Sequence, residues 1–212
     1  VTVPEGTRSA SLTDGLAGLL QRKVTQALHA RAALHVLDWL GCAVIGAAGE
    51  TGRKVAAYGA MLGPGPATAL GAGRLAAPAA AFVNGAYGNV LEMDDIHRTA
   101  VLHPGPVVVP AALAVAQQQG AASGAFLDAV VRGYEAMIRI GRATSPGHYR
   151  QWHPTATCGA FGAAAAAASL LGLGRQQTVW ALGNAGTQAA GPWQCRLEDV
   201  DSKQLHTAHA AQ

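Results

Sequence analysis

Apolar residues recur at helical spacing along most of the chain. Leu12, Leu16, Leu19 and Leu20 fall on one face of a short amphipathic helix over residues 11–22. Thr25 is placed to cap a longer helix running to about residue 47 through Ala32, Val36, Leu40 and Ile45. Within it, His35, Asp38 and Trp39 read as an ordinary polar core site. Residues 49–52 read as a turn and 53–62 as a third helix; Gly-Pro-Gly-Pro over 63–66 breaks the chain, and 68–71 reads as a short extended piece. Further helices are predicted over 77–91, 107–119, 123–144, 155–171 and 176–190, with a last one starting at 202. Pro110 is tolerable only in the first turn of its helix. Polar loops over 145–154 and 191–201 separate the later helices. No strand–helix alternation and no Gly-x-Gly-x-x-Gly after a strand occurs, so the pattern predicts an all-α, multi-helix domain.

Composition supports small-residue helix packing over a sheet. Half of the 212 residues are hydrophobic, yet only 5% are aromatic, and there are 27 glycines. The net charge of +3 comes from scattered basic residues without interleaved aromatics, which excludes a nucleic-acid groove. Cys42, Cys158 and Cys195 are far apart and odd in number, as expected of buried thiols in a reducing compartment. Residues 1–11 are polar and lack the apolar core of a signal peptide. The apolar run 158–174 is built of Ala and Gly without interfacial aromatics, so it reads as a buried helix and not a membrane span. A cytoplasmic protein is expected.

Against this apolar background, residues 92–110 stand out. Glu92, Asp94, Asp95, His97, Arg98 and His103 crowd into a dozen positions of a chain with 13% charged residues. Such groups are costly to bury unless they pair or do chemistry. Other polar groups gather at His148 and His153, at Trp193 to Asp201, and at Lys203, His206 and His209, at breaks between helices where they can converge on one cavity. His103 and His153 each precede a proline, which fixes an extended backbone, and both suit acid–base work near neutral pH. Lys203 is one of three lysines and offers a compact charge for a carboxylate. Asp94, Asp95, His97 and His103, or His206 with His209, offer metal ligands, but no spacing matches a known zinc or calcium pattern, and no metal is expected.

Taken together, Leu-Glu-Met-Asp-Asp-Ile-His over 91–97, Leu-His-Pro-Gly over 102–105, Trp-His-Pro-Thr-Ala-Thr-Cys-Gly-Ala-Phe-Gly-Ala-Ala over 152–164 and Asp-Ser-Lys-Gln-Leu-His over 201–206 resemble the MmgE/PrpD family. Leu-Asp-Trp-Leu-Gly-Cys over 37–42 and Asn-Gly-Ala over 84–86 add to the likeness, which runs in order along the whole chain. The family includes 2-methylcitrate dehydratase, cis-aconitate decarboxylase and iminodisuccinate epimerase. The resemblance implies a single helical domain over 1–212 and a site for a small di- or tricarboxylate without cofactor. The implied chemistry is proton abstraction next to a carboxylate, leading to dehydration, decarboxylation or epimerisation. It puts His103, His153, Lys203, Asp94 and Asp95 in catalytic positions, with Glu92, Arg98, His97 and His206 around the substrate.

Two departures from the family pattern follow. Glu92 and Ile96 stand where many members have Asp and Thr, which reshapes the pocket. Members are also about twice as long, with a second, α/β domain closing the cleft. The chain is therefore expected to be a fragment or to be completed by a second polypeptide, in a homo- or hetero-oligomer. The alternative reading is a non-catalytic helical scaffold that keeps a relic site.

Overall fold

The computed structural model describes residues 11–198 and 200–212. The N-terminal stretch read as lacking a signal peptide therefore lies, but for Ser11, outside the described residues, as does Asp199. The described residues form ten α-helices: α1 Leu12–Leu20, α2 Gln26–Ala48, α3 Glu50–Met61, α4 Ala77–Asn89, α5 Gly105–Gln119, α6 Ser123–Ala143, α7 Pro146–Gln151, α8 Pro154–Leu170, α9 Arg175–Gln188 and α10 Ser202–Ala211. A small antiparallel hairpin, β1 Pro64–Ala69 and β2 Gly73–Leu75, lies between α3 and α4. The all-α reading holds.

The cap at Thr25 falls where the sequence places it, and the structure adds one at Ser11. Ser11 Oγ accepts from the Asp14 N–H, and Thr25 Oγ1 from that of Leu28. Four details differ from the sequence reading. Residues 49–52 are not a turn, because α3 already opens at Glu50, an acid favoured in a first helical turn. The extended piece begins at Pro64 and pairs with β2; buried Asn84 supports its edge, donating to Thr68 O and accepting from Leu70 N. Helix α5 starts two residues early, so Pro110 sits just past its first turn. The 145–154 loop contains the short α7, opened by Ser145 and Pro146.

Helix α8 lies at the centre, against α5, α6, α9 and α10, while α4 packs on α2, α5 and α10. Val83, Val107, Val108, Val130 and Met137 are fully buried among alanines. Helices α6 and α8 approach closely at Gly133 and Gly162: a Cβ on Gly133 would lie 2.9 Å from the Gly162 carbonyl oxygen. The apolar run 158–174 forms most of α8 and its end, buried as expected. Helix α2 is the one described helix long and apolar enough, by length and composition, to cross a membrane. Its inner stripe of Ala32, Trp39, Ala43 and Gly46 is buried, while Leu34, Leu37, Val44 and Ile45 remain more than half exposed.

Candidate active site

Three helix starts meet in one place. His103 lies two residues before α5, His153 is the N-cap of α8, and Lys203 is in the first turn of α10. The α4–α5 connection brings the acids to them. Helix α4 ends at Asn89, and Glu92 then turns the chain with a φ of +54°, a left-handed conformation unusual for a residue with a side chain.

Asp94 is buried and held on both oxygens by Asn89 Nδ2, at 3.1 Å each, while Asn89 Oδ1 accepts from Thr207 Oγ1 of α10 at 3.2 Å. Across from Asn89, Asp94 Oδ2 lies 3.0 Å from His103 Nδ1. The His103 backbone N–H donates to Thr155 Oγ1 in the first turn of α8. Lys203 Nζ forms an ion pair with Glu92 Oε2 at the more exposed rim.

His153 is 2% exposed. Its backbone N–H donates to Gly191 O, and its ring stacks on Trp193 at 4.5 Å, with His206 5.9 Å away. The two histidines are driven in opposite directions. Burial opposes charge on His103, but the hydrogen bond and charge of Asp94 outweigh it, so its pKa lies above the ordinary value. Burial, followed by the charges of Lys203, His206 and His103, pushes His153 down to about 3. His206 is also lowered, by burial and then by His209.

Other predicted site residues lie elsewhere or serve the frame. Asp95 faces away from His103: Oδ1 accepts the Gly105 N–H at the start of α5, and Oδ2 accepts Tyr134 O–H and lies 3.0 Å from His35 Nδ1. Its surroundings are those of a support for the loop. His97 Nδ1 accepts the Ala100 N–H and holds a local bend closed by pairing of residues 97 and 102. Arg98 is exposed. His148 bonds Thr157 Oγ1 beside an apolar pocket at Ile140 and Phe161, and His209 lines a cavity of about 560 Å³ walled by alanines of α4, α5, α8 and α10. His206 and His209 thus diverge. Among the described residues, no three His, Cys, Asp or Glu side chains converge on one point.

Sequence reasoning missed four groups. His35 was read as an ordinary core residue, yet it pairs with Asp95, whose hydrogen bond raises its pKa against burial. Asn89 and Thr207 were not singled out, although a polar residue closing a mostly apolar helix, as Asn89 does in α4, is a signal in itself. Trp193 was placed in the acidic loop but not against His153. Of the cysteines, Cys42 and Cys158 are buried, with the Cys158 thiol pushed up to about 11 by burial. Cys195 is half-buried, its Sγ 4.0 Å from His206 Nδ1.

Comparison with known proteins adds a finding independent of this geometry. The MmgE/PrpD N-terminal domain matches residues 10–212. A cis-aconitate decarboxylase-like protein of Aspergillus oryzae is 32% identical over 216 residues, covering 97% of this chain and 45% of the relative. The cis-aconitate decarboxylase of Aspergillus terreus is 37% identical over 171 residues, with 76% and 35% covered. That of Mus musculus is 28% identical over 214 residues, with 95% and 43% covered. The chain spans less than half the length of these curated relatives.

Proposed function

The chain belongs to the MmgE/PrpD family, and from that premise we propose that it is the helical half of a cofactor-independent lyase or isomerase acting on a small di- or tricarboxylate. The observation that carries this reading is the Asp94–His103 pair set beside Lys203 and the buried His153. A carbanion next to a carboxylate needs a base of near-neutral pKa and donors where charge collects. Asp94 makes His103 the more basic of the two histidines, and His103 takes the proton. Lys203 leaves Glu92 to hold a substrate carboxylate, and His153 donates a hydrogen bond from an uncharged ring to the enolate-like oxygen, while His103, charged by the abstraction, returns its proton to the leaving group. Dehydration and epimerisation begin with this abstraction; in decarboxylation the bond to the departing carboxylate supplies the electron pair instead, and protonated His103 delivers the proton to the carbanion-like carbon. The names of the relatives favour decarboxylation.

A second polypeptide completing the cleft, or association of copies, belongs to the same proposal. The exposed apolar side chains of α2, with Met93 beside them, are surface of the kind that interfaces cover. The absence of disulfides among its three cysteines suits a cytoplasmic setting.

The test is to purify the chain with any polypeptide that accompanies it, determine the native mass, and assay cis-aconitate and other di- and tricarboxylates. His103→Gln is expected to lower kcat/KM by about 10²–10⁴ with unchanged circular dichroism. Retained turnover in that variant, or no turnover of any carboxylate by the wild type, gives the scaffold reading precedence.

A further inference from the structure

The residues that follow α9 form a strap across the start of α8. Trp152 and Pro192 pair as an antiparallel bridge, and the His153 N–H donates to Gly191 O at 2.9 Å. Gly191 has a φ of +110°, and a Cβ there would lie 2.8 Å from Ala156 Cβ and 3.3 Å from the His206 ring. The strap is thus pressed against both α8 and α10, where only glycine fits.

Its next turn, the short 3-10 helix Trp193–Arg196, lays an indole on the His153 imidazole. The rings lie 4.5 Å apart and 21° from parallel. On its other sides the indole is held by Tyr149 of α7, edge-on at 5.7 Å, and by the Arg196 guanidinium 5.8 Å from its centre. Three groups, from α7, the start of α8 and the 3-10 helix itself, therefore hold the indole plane.

We propose that Trp193 is a positioning residue, whose stacked indole sets the plane and the water-free surroundings of the His153 ring for the reaction at the His103–Lys203 site. This inference rests on the carboxylate-chemistry reading above and deepens it. An imidazole that donates a hydrogen bond from its uncharged form must be kept from water and from rotating about its side-chain bonds, because a misplaced donor loses most of its effect. No hydrogen bond to a ring nitrogen of His153 is found among the described residues, and Nδ1 is buried, so packing takes the place of the usual polar orienter. The downward shift of His153 agrees with that enclosure.

The test follows the histidine ring signals of the full 212-residue chain by NMR, in the wild type and in Trp193→Phe, Trp193→Leu and Trp193→Ala. In the wild type, His153 is expected to stay neutral between about pH 5 and pH 8 and to keep its contact with the His206 ring. Trp193→Ala is expected to let His153 titrate within that range and lose the contact. Trp193→Phe restores both. Trp193→Leu fills the space without the stacked face, and partial recovery there supports the proposal even if the alanine variant fails to fold. Unchanged titration and contacts in the alanine or leucine variant overturn it. Cis-aconitate separates the two readings. If it moves the wild-type His103 and His153 signals and binds about tenfold more weakly to Trp193→Ala, both stand. If neither it nor any other di- or tricarboxylate moves these signals in the wild type, purified with any polypeptide that accompanies it, the proposed function falls and takes the role of Trp193 with it. Equal affinity for wild type and Trp193→Ala overturns the positioning role alone.

Discussion

Asp94 and Asp95 are neighbours with opposite surroundings. Asp94 turns towards His103 and is held by Asn89, which Thr207 holds in turn. Asp95 turns towards α2, α5 and α6, where Gly105, Tyr134 and His35 share it. One carboxylate raises the basicity of the histidine that precedes α5; the other fixes the loop that carries the first. A run of acids in sequence is therefore not one site, and the residue type alone does not say which side an acid serves.

The largest test of this contrast is Asp95→Ala. It strands the Gly105 N–H and the Tyr134 hydroxyl in a mostly buried place and should lower unfolding free energy by about 3–4 kcal/mol in urea titrations. If stability is unchanged, Asp95 does not hold the loop.

A somewhat smaller effect concerns His153, which shares the Asp94 side with a histidine shifted the other way. Its folded pKa is depressed to about 3, so its contribution to stability is complete above the unfolded value near 6.5 and is lost as pH falls towards 3. At about pH 4.5 the loss should be roughly 2.5 kcal/mol relative to pH 7.5, and His153→Gln should remove that part of the acid slope. His103 and His35, both raised, work in the opposite sense: they favour the fold below the ordinary histidine pKa and lose that contribution as pH climbs through their folded values. Equal acid slopes in wild type and variant would show that His153 is not held neutral.

The smallest change, and the most specific, is Asp94→Asn. It removes the hydrogen bond and the nearest charge that raise His103, leaving burial and Lys203 opposed only by Glu92. The His103 titration followed by NMR should move to lower pH, with His35 unmoved as the control on the Asp95 side. A midpoint that stays put means another group sets the basicity of His103.

How much of this was legible beforehand varies with the range of the interactions. Helix positions and the cap at Thr25 depend on residues three or four apart, and periodicity and residue type marked them. Beyond about one turn the signal faded. The partner of His35 is sixty positions away along the chain, and no local pattern marks it. The hairpin was half seen, because β1 depends on β2 and on a side chain of α4 for its pairing. His103, His153 and Lys203 were recognisable together through the family motifs, and the structure brings them to adjoining helix starts. Asp95, His97 and Arg98 share the same motif stretch but face elsewhere, which only the turn at Glu92 and the bend at 97–102 decide.

The helices around those starts meet through methyl groups and bare backbone: a Cβ on Gly85 of α4 would lie 2.9 Å from Ala211 Cβ of α10, and one on Gly159 of α8 would lie 2.9 Å from Ala210 Cβ. A leucine gives up about 0.5–1 kcal/mol of rotamer freedom when it is buried, whereas an alanine has none to give up. Spacing between these helices is thus set by contacts with a single possible shape, not by a choice among conformers. His103, His153 and Lys203 inherit their places from backbone register. The same economy removes tolerance: no smaller side chain than alanine exists except glycine, and any larger one displaces a helix together with the polar group at its start.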